Sequence, residues 1–157
     1  MKNSLKVGLS FGLTSGVITT LGLLVGLNSS THSKMVVLGG ILVIAIADAM
    51  SDALGIHISE ESDSQKSIRE IWEATISTFL TKFLTALSFV IPLLIFDLDL
   101  AVVIDIVWGI TILNLLSFYI AKERKIDPFK VILEHLFIAV AVIIATYLVG
   151  NWISEIF

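Results

Sequence analysis

The stretch MVVLGGILVIAIADAMSDALGIHI, residues 35–58, carries only two charged residues, Asp48 and Asp52. A helix crossing about 30 Å of hydrocarbon needs about 20 mostly apolar residues, and this run is long enough. A carboxylate at the centre of such a helix costs about 2.5–3.5 kcal/mol on insertion scales, so two of them must face protein or water. Spaced by four, they share a helix face with Gly55 and Ser59 and form a line of oxygen ligands descending towards one membrane surface. Hard or borderline divalent ions such as Mn²⁺ or Fe²⁺ take ligands of this kind, and the carboxyls can exchange protons. A competing reading is an ion pair with Lys82, which residue counting places at nearly the same depth.

The rest of the chain has the same character. Of 157 residues, 56% are hydrophobic and 15% charged, with no cysteine, and the mean hydropathy is +0.97. These values exclude a soluble globular domain, a disordered chain, a disulfide scaffold and a zinc ribbon. The net charge of −4 argues against nucleic acid. Five runs of span length occur at about 7–27, 35–58, 74–96, 100–121 and 131–153, with a short acidic connector at 59–73. The first is full span length with no small-residue cleavage site after it, so it is expected to be a retained helix rather than a signal peptide.

The expected fold is therefore all-α, a single polytopic domain of five transmembrane helices in a lipid bilayer. Lys2, Lys6, Lys66, Arg69, Lys122, Arg124, Lys125 and Lys130 fall on one side, and only Lys34 on the other. Because cytoplasmic loops retain positive charge, this predicts a cytoplasmic N-terminus and an outside C-terminus. Ser67 and Glu70 have capping-box spacing, so the third helix is expected to begin before the bilayer. Asp127 and Pro128 read as the N-cap and first residue of the fifth helix, and Pro92 predicts a kink in the outer part of the third.

In the first helix Gly8, Gly12, Gly16, Gly22 and Gly26, with Ser15 and Thr19, fall on about one third of the circumference. Such a face suits close helix packing, within the chain or across a dimer axis, and can also border a translocation path. Glu60, Glu61, Asp63, Glu70 and Glu73 cluster near the cytoplasmic mouth, either as a cation-collecting vestibule or as a solvated connector. His57 should point away from Asp48. Asp105, Asn114, Glu134 and His135 lie where helix ends allow them to reach headgroups or water, with Glu134 and His135 as an exposed first-turn pair.

Two segments carry a family resemblance. GLTSGVITTL at 12–21, continuing to Leu24-Val25-Gly26-Leu27, resembles the first-helix signature of the vacuolar iron transporter family, which commonly starts Gly-Leu-x-Asp-Gly and ends Ala-Gly-Leu. ADAMSDALGIHIS at 47–59 resembles its second-helix signature, Ser-Met-x-x-Gly-Glu-Tyr followed by a Ser-rich turn, and Phe89 to Leu94 is similar to its apolar-Pro-Leu-Leu end of the third helix. The resemblance implies a short, homodimeric, five-helix carrier moving Fe²⁺ or Mn²⁺ out of the cytoplasm in exchange for protons. This chain has Ser15 where the family has aspartate, Asp52 where it has methionine and Ile56 where it has glutamate; the long cytoplasmic metal-binding helices are replaced by the short connector.

The expected activity is thus export of a divalent transition metal, with Asp48 and Asp52 as mid-membrane ligands and Ser15 and Thr19 on the facing helix. The metal is substrate, no cofactor is tightly bound, and a prokaryotic plasma membrane fits the short loops. Alternatives are the same fold moving another cation, or a membrane scaffold in which Asp48, Asp52 and Lys82 only lock helices together. An enzyme is not expected, because carboxylates four apart on one helix do not make a shared-proton dyad and no nucleophile elbow is present.

Overall fold

The charge-free runs fold as helices bounded by side-chain caps. The computed structural model describes residues 3–157 as α1 (Asn3–Thr31), α2 (Lys34–Glu61), α3 (Ile68–Ser88), α4 (Val90–Ile95), α5 (Leu98–Arg124) and α6 (Pro128–Ile156). Lys2 lies outside the described residues. With α3 and α4 counted together, five segments are long and apolar enough to span a bilayer, and the chain is a multi-pass membrane protein. Ser67 Oγ and the Glu70 carboxylate form the expected capping box at the start of α3, and Asp127 Oδ1 accepts from Phe129 N at 3.0 Å with Pro128 in the first turn of α6. Asp97 caps α5 in the same way, through Leu100 N at 3.0 Å.

The expected kink is a break. Proline lacks the N–H that would continue the ladder, and its ring crowds the carbonyl four residues earlier. Counted back from Pro92, that carbonyl belongs to Ser88, where α3 stops before α4 resumes at Val90. The connector is shorter than the 59–73 expected from composition. Glu60 and Glu61 still belong to α2 and the Ser67 cap starts α3, so only 62–67 lie outside helices. Charge does not end a helix when its backbone bonds remain intact.

The helices alternate in direction. Lys6 at the start of α1 pairs with Glu123 at the end of α5, and Ser4 Oγ donates to Glu73 Oε2 at the start of α3 at 3.2 Å. At the opposite end Lys34 Nζ donates to the Phe96 carbonyl at 2.8 Å. Lys6, Lys66, Arg69, Lys122, Arg124, Lys125 and Lys130 therefore gather at one end of the bundle, called the basic end below, while Lys34 lies at the other.

α1 is the hub, packing on α2, α3, α5 and α6. Its glycine face serves two neighbours in succession. Gly8, Gly12 and Gly16 lie against α3 from Ala74 to Thr85, and Gly22 and Gly26 lie against Val142 and Thr146 of α6. The handover comes near the level at which α3 breaks. Apolar residues on the other sides of α1, including Val17, Leu21 and Leu24, meet Ile41, Phe89, Leu93 and Leu113 in the core. α6 is the most lipid-exposed span, with few residues buried inside the protein.

A Cβ on Gly12 would stand 2.7 Å from the Thr78 carbonyl oxygen, a backbone atom that cannot move without shifting α3, whereas one on Gly39 would meet nothing within 4 Å. Gly12→Ala should lower unfolding free energy in micelles by about 1–3 kcal/mol through overpacking. Gly39→Ala should be neutral or up to about 1 kcal/mol stabilising through helix propensity. Equal effects of the two substitutions on unfolding would contradict this packing.

Candidate functional site

The glycine face of α1 also positions the charged centre. A Cβ on Gly12 would lie 3.2 Å from the Lys82 amide nitrogen, and one on Gly16 would lie 3.3 Å from the Lys82 carbonyl oxygen. The Lys82 backbone therefore sits directly on α1, and the side chain extends towards α2. Lys82 is only 1% exposed. Its ammonium meets Asp48 Oδ2 at 2.6 Å, Asp52 Oδ2 at 2.5 Å and Ser15 Oγ at 2.9 Å. Ser15 in turn donates its hydroxyl proton to Asp52 Oδ2 at 2.6 Å.

An ammonium has three N–H donors; here it donates to Asp52 and Ser15 and pairs with Asp48 as a close ion contact. The cluster holds two carboxylates and one cation, a formal charge of −1. The lysine side chain is sealed at 2% exposure, but the Asp48 and Asp52 side chains remain 31% and 21% exposed. Asp48 and Asp52 flank the buried α2 stripe of Ile41, Ala45, Ala49 and Ala53. From them, exposed Gly55 and Ser59 continue towards the basic end, and nothing approaches within 4 Å of where a Gly55 Cβ would be. The centre can thus bind a cation through free carboxylate lone pairs, or through those that Lys82 now occupies.

The other expected residues divide clearly. Ser15 joins the centre, whereas the Thr19 hydroxyl bonds back to the Ser15 carbonyl at 2.8 Å. Gly8, Gly12, Gly16, Gly22 and Gly26 contact α3 and α6 of the same chain, so this face is not open to a second copy. The acidic residues at the mouth do not converge. Glu60 pairs with Lys66 at 3.0 Å, Glu70 caps α3, Glu73 binds Arg69 at 2.9 Å, and Asp63 Oδ1 accepts from Gln65 N at 3.0 Å. Glu61 is exposed. No group of three His, Asp or Glu able to hold a metal occurs among the described residues. The hydrogen bond that Lys66 donates to Glu60 holds the Lys66 pKa above the usual lysine value, so the ammonium stays charged at neutral pH and loses its proton as pH rises through that raised value.

His57 also faces α3, nearer the basic end: its Nδ1 is 2.9 Å from Thr75 Oγ1, and its ring meets Trp72 edge-on at 4.9 Å. Two expectations for the outer candidates fail. His135 is not an exposed partner of Glu134, because its Nδ1 lies 2.7 Å from Ser117 Oγ on α5, one helix away. Asp105 does not reach headgroups or water. It is completely buried, and neither carboxylate oxygen has a partner. The missed signal was the four-residue row Ala101, Asp105, Gly109, Leu113, Ser117 and Ala121, mostly small residues that mark the buried face of α5.

Removing one member of a buried ion cluster is costly because the others stay buried without compensation. Lys82→Met should therefore destabilise the protein by about 3–5 kcal/mol, while Lys82→Met combined with Asp48→Asn and Asp52→Asn should recover most of that loss. Unfolding in micelles measures both, and a triple variant no more stable than the single one would show that the cluster is not a coupled unit. No protein-family model matches the chain, and no curated protein matches it in sequence.

Proposed function

We propose that the protein is a secondary carrier exporting a divalent transition metal, Fe²⁺ or Mn²⁺, with protons moving in the opposite direction. The observation that carries this reading is the partly open pair Asp48 and Asp52 closed on one side by the Lys82 ammonium. Lys82 acts as a tethered stand-in for the cation. An arriving dication takes the two carboxylates, and Lys82 withdraws. A dication, two carboxylates and a still-charged lysine would sum to +1 inside the bilayer. Release of one proton from Nζ to water leaves the loaded centre neutral, which couples metal entry to proton exit from the site.

The open α2 face at Gly55 and Ser59 supports an entry route from the basic end, which the excess of positive charge assigns to the cytoplasm. A homodimer has to use another surface than the filled glycine face of α1. The exposed small residues Ala47 and Ser51 of α2, beside the two aspartates, supply one, and a second copy seated there would make the Gly55 and Ser59 route run along the seam between the copies. The resemblance of the first two helices to iron carriers supports Fe²⁺ and Mn²⁺ over other ions, and a bacterial plasma membrane suits this arrangement.

The scaffold reading is favoured by one observation, the three oxygen atoms that surround the ammonium. Transport separates the two. In inverted membrane vesicles the parent should accumulate Mn²⁺ and Fe²⁺, and the Lys82→Met, Asp48→Asn, Asp52→Asn variant should lose at least about tenfold of that rate, or about 1.4 kcal/mol of transition-state stabilisation. Parent-like uptake by the folded triple variant would refute the carrier site, and competition by a panel of cations identifies the substrate.

A further inference from the structure

Asp105 is not a member of the Lys82 cluster, yet it is the more unusual carboxyl. It is 0% exposed on the face of α5 that also carries Ala101, Val102, Gly109 and Leu113 inward, and neither oxygen has a hydrogen-bond partner. Asp48 and Asp52 share a cation; Asp105 has none. The surrounding elements bring it no compensating charge. α1 has no titratable residue between Lys6 and His32, and α4 has none. α3 meets α5 through Ser88 and Trp108; its Lys82 is held by Asp48, Asp52 and Ser15, and Arg69, Glu70 and Glu73 lie at its far, basic end. α6 offers Tyr147, with Lys130, Glu134, His135 and Glu155 nearer its ends, and on α5 itself Asp97 and Asp99 lie at the start and Tyr119, Lys122, Glu123 and Arg124 in the last turns. An ionised carboxylate without a partner in apolar surroundings is far costlier than a neutral acid.

A cavity of about 390 Å³ lies on the adjoining side of α5. Val102 and Ile106 form one wall, and Asn28, Ile143 and Tyr147 contribute to the others, while Asp105 itself stays behind that wall. Asn28 Oδ1 is also buried without a partner. The cavity wall is mostly Val and Ile, with Asn28 and Tyr147 as the polar members, so packing of α5 is loose on this side. It lies in the half of the bundle away from the basic end, where α1 and α6 finish.

We propose that Asp105 is a second proton-binding site, filled in this conformation and exchanging its proton with water only when the packing around it opens on the side opposite the basic end. The carboxylate takes one proton from water to become the acid, and returns it when the site opens. This rests on the carrier reading only for its place in the cycle, in which it is the loading point for protons moving against the metal.

Infrared spectra of the purified protein in lipid nanodiscs test the site without any transport. The parent should show a carboxylic-acid C=O band that is absent in Asp105→Asn, is restored in Asp105→Glu, and fades as pH is raised from about 5 to about 10. Absence of any Asp105-dependent band, or a band unchanged across that range, would overturn the proposal. In vesicles, Asp105→Asn should bind Mn²⁺ within about twofold of the parent but lose at least about tenfold of metal-driven proton movement. Parent-like coupling in Asp105→Asn would also overturn it. If the parent moves no metal, the carrier reading fails and the infrared result still decides the fate of Asp105.

Discussion

The buried ammonium of Lys82 is the constraint around which the first three helices are organised. A charged lysine in a bilayer is tolerated only when its donors are satisfied by oxygen atoms of the protein or water. Here the oxygens come from Asp48 and Asp52 on α2 and Ser15 on α1. Any displacement of one helix against another leaves a charge unpaired. This polar contact gives specificity where apolar packing alone has little preference, since lipid tails are as apolar as a leucine face.

Close approach of backbones makes that contact possible. Gly12 and Gly16 bring α3 onto α1, and the break before Pro92 ends α3 near the level where Gly22 and Gly26 pass to α6. Packing and chemistry are therefore consequences of the same motif: the glycine face that first suggests a dimer axis is what seats the lysine. Its use inside the chain moves the candidate surface for a second copy to α2, where small residues and partly open carboxylates lie together.

The protein holds two intramembrane carboxyl environments of different kinds. At Asp48 and Asp52 the negative charge is shared with a cation and stays partly open, which suits exchange of one cation for another. At Asp105 the carboxyl is enclosed without a partner, which suits the neutral acid. The acidic residues at the basic end belong to neither environment. Several of them serve as caps and surface ion pairs that hold the connection between α2 and α3.

The five spans, the asymmetry of basic charge, the Ser67 and Asp127 caps and a disruption at Pro92, though as a kink rather than a break, are legible in the sequence, because each depends on neighbours within one or two helical turns. The pairing of Lys82 with Asp48 was legible only as a match in depth. Its exact partners depend on rotation of α2 and α3 about their axes, and Ser15 enters only because two glycines allow contact. The settings of Asp105 and His135 are not legible for the same reason: position along a helix says how deep a residue lies, while the packing of neighbouring helices decides whether it faces lipid, water or core. Sequence alone thus determined that charges lie within the membrane, and the tertiary structure decided which share a cation and which stands alone.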